Sequence, residues 1–140
     1  SCSLVGSEMC IRDRYTQAGL LNDMRVLSTP CTIDNTSTCG NQEDYVAMGY
    51  NAAKKSVQIA EKLEYILAIE LLSAYESQVF LDSSLARSPV TAKILAEIGR
   101  HVPTIEQDVF LHPHIEFLRN FIHSGRLAEI AEQTIGRSLL

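Results

Sequence analysis

Between residues 57 and 74 the chain repeats apolar side chains at helical spacing: Val57, Ala60, Leu63, Leu67, Leu71 and Ala74 mark one face, and Ile59, Ile66 and Ile69 widen it. By residues 66–74 the pattern is apolar nearly all round. A helix of that kind has no face to give to water, so it belongs inside a bundle or between subunits. Each Leu or Ile it buries is worth roughly 1.5–3 kcal/mol. A chain of 140 residues can hardly supply the cover that such a helix needs.

The remaining segments are also helical. Hydrophobic residues make up 46% and charged residues 21% of the chain, which gives it enough apolar surface for a core and excludes a mainly disordered tail. Ala18, Leu21 and Met24, flanked by Leu20 and Leu27, predict a helix over residues 15–27 that Pro30 ends. Residues 31–40 are rich in Thr, Ser, Asn and Asp, whose side chains bond the local backbone, and they end in Gly40; this is a loop. Asn41 is expected to cap a long helix, with Gln42, Glu43 and Asp44 in its first turn and its end near Val79. Ser88-Pro89 opens the next helix, running to about His101, with Pro103 beyond it. Pro113 opens another that stops before Gly125, and a last one runs from Leu127 to Ile135, closed by Gly136. Neither a strand nor an internal repeat is present in the pattern. The fold class is all-α, one domain in size.

Several functions are excluded. The net charge is −5 and basic residues form no run, so a phosphate backbone has no basic face to meet. The longest apolar stretch, residues 65–74, is too short to span a bilayer and carries Glu70. Cys2, Cys10, Cys31 and Cys39 contain no Cys-x-x-Cys pair, and nothing supplies a secretory context; free thiols in a reducing, cytoplasmic compartment are expected. His112 and His114, two residues apart, do not share a helix face and read as turn residues, while His101 and His123 sit near helix ends, where a cation complements the dipole. No Gly-x-Ser-x-Gly elbow and no Gly-rich phosphate loop occurs. Residues 1–14 lack periodicity and resemble translated sequencing-adapter DNA. They are expected to be non-native, which leaves residues 15–140 as the helical region.

An ordered series of short motifs carries more information than any of them alone. Thr29-Pro30-Cys31-Thr32-Ile33-Asp34 is followed by Asn41-Gln42-Glu43-Asp44-Tyr45-Val46-Ala47-Met48-Gly49, then Lys54-Lys55 and Ile69-Glu70-Leu71-Leu72. Val102-Pro103-Thr104-Ile105-Glu106-Gln107-Asp108 and Pro113-His114-Ile115 come later. In this order the series resembles the C-terminal part of the histidine ammonia-lyase and aromatic amino acid lyase family, from about Gln17 onward. The resemblance implies the C-terminal part of a long-helix bundle of the aspartase/ammonia-lyase type. It implies a homotetramer with active sites shared between subunits, and elimination of ammonia from histidine, phenylalanine or tyrosine. The family's electrophile is a methylidene-imidazolone made from an internal Ala-Ser-Gly; this sequence contains no Ala-Ser-Gly, so the group is expected from an upstream region and the chain alone is expected to be inactive.

Under the same resemblance Glu43 is the catalytic residue, Gln42 and Glu43 bind the substrate, and Gln42 supports the site by hydrogen bonds. Histidine-specific members carry Glu at the position of Glu43, and plant-type phenylalanine lyases commonly carry Gln. An imidazole offers N–H donors to a carboxylate, whereas a phenyl ring offers none and leaves the charge unpaired. The expected reaction of the intact enzyme is L-histidine to urocanate, the first step of histidine degradation. Tyr45 stands where histidine lyases usually have His, which keeps a tyrosine or phenylalanine lyase, or an aminomutase, as the alternative. A helical assembly module without chemistry is a second one. By residue chemistry alone, Gln42-Glu43-Asp44 also fits a plain acidic first turn, and Asp34 and Asn35 fit either support of the motif or a solvated loop.

Overall fold

The computed structural model describes residues 5–82, 84–105 and 109–139, with side chains from residue 14 onward. Its elements are five α-helices: α1 (Val5–Leu27), α2 (Gly49–Glu76), α3 (Pro89–Ile98), α4 (His112–His123) and α5 (Arg126–Ile135). Two short 3₁₀ turns, Cys39–Asn41 and Ser77–Phe80, complete the set, and no extended strand occurs among the described residues. The all-α class is as expected. α1 starts at Val5, ten residues before the periodicity predicts; residues 5–14 carry no apolar stripe that announces it.

The chain divides into two compact units, Ala18–Leu63 and the remainder, Ser1–Gln17 with Glu64–Leu140. The larger unit contains the closed core. Ala68 and Leu72 of α2, Ile98 of α3, Val102, Leu118 and Phe121 of α4 and Ile130 of α5 form one buried cluster. α5 packs against both α3 and α4. Tyr75 fastens this core by donating its hydroxyl to the Val102 carbonyl at 3.0 Å. That hydroxyl would lie 3.1 Å from a Cβ at position 99, which is why Gly99 follows α3 there. Local chemistry sets the ends of these helices as predicted. The Ser88 hydroxyl accepts the Thr91 N–H at 3.2 Å, with Pro89 in the first turn. Gly125 and Gly136 adopt left-handed φ of 75° and 76°, turning the chain before and after α5.

A polar seam joins α2 to α4 in the same unit. Glu64 lies 2.8 Å from His123 Nδ1 and 2.9 Å from Arg119 Nε. Glu64 Oε2 and Arg119 Nε are both shut off from solvent but off the line of a hydrogen bond, so this contact is an ion pair. The Tyr65 hydroxyl donates to Glu116 Oε1 at 2.7 Å, and the Arg119 guanidinium lies over the Tyr65 ring. His101 stacks on Phe117 with ring centroids 4.5 Å apart. His101 and His123 therefore have structural roles, His123 at the end of α4 and His101 three residues beyond α3.

The smaller unit is different. None of the buried hydrophobic residues lies in it. Leu21, Val26, Val57 and Leu63 are exposed, and Leu67, just beyond its boundary, is 40% exposed. The apolar end of α2 buries Ala68, Ile69 and Leu72 and leaves Leu67 in solvent. Leu71 is half-buried against the core and Ile59 and Ile66 are half-buried, while Val57 and Leu63 stay exposed. Among the described residues no helix is long and apolar enough to cross a membrane.

Candidate functional site

Gln42 and Glu43 lie in the smaller unit, on the loop between α1 and α2. The expectation that Asn41 caps α2 is corrected here. α2 begins at Gly49, and its first backbone bond, from Ala52 N–H to Met48 O, is 3.0 Å. Cys39, Gly40 and Asn41 have φ of 51°, 63° and 69°, three successive left-handed residues that no helix start adopts. A non-glycine residue in that region costs roughly 1–2 kcal/mol, less for Asn, so the surrounding loop must hold the conformation. Gln42, Glu43 and Asp44 accordingly do not form an acidic first helical turn, and the helix dipole does not account for them.

Nested contacts hold the loop. On the outside, Asn35 Nδ2 donates to the Val46 carbonyl at 2.8 Å, and Asn35 Oδ1 accepts the Val46 N–H at 3.2 Å. The side-chain amide thereby pairs with a backbone residue eleven positions on as a strand neighbour would. Next, the Ser37 hydroxyl donates to Asn41 Oδ1 at 2.6 Å. Thr38 and Glu43 form an isolated antiparallel bridge, Thr38 N–H to Glu43 O at 2.8 Å and Glu43 N–H to Thr38 O at 3.3 Å. A third bond joins the same two residues: the Thr38 hydroxyl donates to Glu43 Oε2 at 3.2 Å. The Gln42 N–H closes the turn on the Cys39 carbonyl at 3.3 Å.

Glu43 therefore stands at an exposed loop tip with its backbone fixed on both sides and one carboxylate oxygen engaged. Gln42 is adjacent and exposed, but the donor on the Glu43 carboxylate is Thr38. Asn35, which by residue chemistry fits support or solvation, supports. Thr38 and the clamping role of Asn35 were not singled out by spacing; Gly40 directly before Asn41 was the one signal of a left-handed turn. A cavity of about 190 Å³ lined by Tyr75, Glu76, Gln78, Val79, Arg87 and Thr104 includes neither Gln42 nor Glu43. Among the described residues no group of three His, Cys, Asp or Glu is placed to hold a metal. The chemistry available at the loop is that of an anionic acceptor held ready for a donor.

The family model for aromatic amino acid lyases matches residues 5–100, and the chain belongs to that family. Among curated relatives it is 35% identical over 123 residues to a histidine ammonia-lyase of Symbiobacterium thermophilum, covering 88% of this chain and 24% of that protein. It is 34% identical over 119 residues to one of Deinococcus radiodurans, covering 85% and 22%. The crystal structure of histidine ammonia-lyase from Trypanosoma cruzi superposes with a TM-score of 0.76 at 28% identity, covering 85% of this chain and 23% of that one. The chain thus spans about a quarter of the length of the relatives it matches.

The methylidene-imidazolone implied by the family is made from Ala-Ser-Gly. That tripeptide does not occur in these 140 residues, so they do not fit the group.

Proposed function

We propose that this chain is the C-terminal segment of a lyase that eliminates ammonia from L-histidine to give urocanate, with Glu43 as the acceptor for the substrate imidazole. The observation that carries the proposal is the state of Glu43: an exposed residue whose backbone makes two bonds with Thr38 and whose carboxylate accepts one from the Thr38 hydroxyl, on a loop clamped by Asn35 and Val46. A surface glutamate with no task needs no such frame. An imidazole N–H satisfies a carboxylate, and a phenyl ring leaves it unpaired. The names of the relatives agree with that choice of substrate.

Glu43 would hold the imidazole in one orientation through a charge-assisted hydrogen bond, and Gln42 would line the same side of the substrate. The electrophile would come from residues that this sequence does not contain. The exposed apolar residues of the smaller unit, Leu21, Val26, Val57 and Leu63, support assembly with further helices of a homotetramer whose active sites are shared. By itself the chain is proposed to be inactive.

Tyr45 favours one second reading, a tyrosine or phenylalanine lyase or an aminomutase on the same scaffold, since it replaces the usual His beside the motif. The test is Glu43→Gln in the full-length enzyme. Losing a hydrogen bond to a charged group costs roughly 1.5–3 kcal/mol, so kcat/KM for histidine should fall roughly tenfold to hundredfold. Unchanged kinetics would remove Glu43 from the substrate site.

A further inference from the structure

The bond from the Thr38 hydroxyl to Glu43 Oε2 has a consequence for how the carboxylate is aimed. A glutamate on a loop keeps several rotamers of similar energy, and a carboxylate that must meet one imidazole N–H works best in one of them. The backbone bridge between Thr38 and Glu43 fixes where the side chain starts. The hydroxyl of the same threonine then takes one carboxylate oxygen, leaving Oε1 as the acceptor that faces no donor among the described residues. Asn35 holds the base of this arrangement by pairing with both backbone groups of Val46.

We infer that Thr38 is a positioning residue for substrate recognition: it orients the Glu43 carboxylate so that its second oxygen meets the substrate's donor. This inference rests on Glu43 being the substrate contact. Thr38 itself touches no substrate.

Replacing Thr38 with Val keeps the β-branched shape and both backbone bonds and removes only the hydroxyl, while Ser restores a donor. The experiment is a double-mutant cycle in the full-length enzyme, with Thr38→Val, Thr38→Ser, Glu43→Gln and Thr38→Val/Glu43→Gln, each first checked by thermal melting for an unchanged fold. The substrate is the amino acid that the wild type turns over fastest among histidine, tyrosine and phenylalanine. Thr38→Val is expected to raise KM about fivefold to tenfold with a smaller change in kcat, the loss of one charge-assisted bond. Thr38→Ser is expected to stay within about twofold of wild type on the same grounds. In the Glu43→Gln background Thr38→Val should add little, because the group it aims is already altered. A neutral Thr38→Val, an equally damaged Thr38→Ser, or full additivity in the cycle would overturn the inference. Coupling seen with tyrosine or phenylalanine would uphold Thr38 and reject histidine as the substrate; histidine turnover without coupling would do the reverse.

Discussion

The carboxamide of Asn35 brackets Val46, its nitrogen donating to the Val46 carbonyl at 2.8 Å and its oxygen accepting the Val46 N–H at 3.2 Å. One side chain thereby closes the loop that carries Gln42 and Glu43. Asn35→Ala leaves two half-buried backbone groups without partners, at roughly 1–3 kcal/mol. Amide exchange at Val46 and Glu43 should accelerate roughly fivefold or more, following that cost. Asn35→Asp keeps the acceptor and loses the donor, so a smaller acceleration is expected. Exchange that stays at the wild-type rate in Asn35→Ala would show that the loop is held elsewhere.

Two carboxylates of α2 should respond to pH in opposite directions. The hydrogen bond with His123, helped by the charges of His123 and Arg119, holds Glu64 below its ordinary value of 4.5. Its contribution to stability is therefore full above that value and is lost as pH falls through the lower, folded-state value. Burial pushes Glu76 above 4.5, against the opposing Ile105 N–H bond and the His114 charge. Its favourable contribution belongs to the protonated form, present below the unfolded value and lost as pH rises through the folded one. Glu64→Gln should cost roughly 0.2–1 kcal/mol at pH 7, the loss of a partly exposed ion pair with Arg119. Glu76→Gln should flatten the pH dependence of stability above 4.5 and leave the molecule no less stable at pH 7. Urea titrations at several pH values check both; parallel pH profiles for the two variants would contradict the assignment.

Sequence and structure agree best where a single residue's chemistry decides the outcome. Ser88-Pro89 starts α3, Gly125 and Gly136 bound α5, and His123 ends α4 as predicted, while α3 stops at Ile98 and leaves His101 three residues beyond it. The start of α2 was not legible. The backbone of Cys39 is left-handed, a conformation that its residue type does not announce, and Glu43 and Val46 find their partners five and eleven positions back, at Thr38 and Asn35, rather than along a helix. Glu43 was identified by motif resemblance, which carries its place in the chain and nothing of its frame. Thr38 and Asn35 became visible only when the loop closed, because side-chain to backbone pairing across a loop has no period.

The core prediction contrasts the two units. Leu118 is fully buried in the larger one and Val26, in the smaller, is 66% exposed. Leu118→Ala should destabilise by roughly 2–5 kcal/mol, the range for emptying a buried leucine site. Val26→Ala should change stability by less than about 0.5 kcal/mol in the chain as it stands. In the assembled enzyme the Val26 effect should grow, if that face is covered. Equal effects of the two changes in the isolated chain would mean that the smaller unit has a closed core after all.

Residues 1–14 remain proposed as non-native on their likeness to translated adapter DNA. α1 runs through residues 5–14 and the family match begins at residue 5, so the test lies in the gene. Resequencing the genomic locus should fail to find these codons ahead of Tyr15, and finding them there would reject the proposal.

The most direct test is an ultraviolet assay of the full-length enzyme given histidine, tyrosine and phenylalanine separately. Urocanate from histidine, with little product from the other two, is the predicted result and supports Glu43 as the partner of the imidazole. Coumarate or cinnamate without urocanate would contradict it.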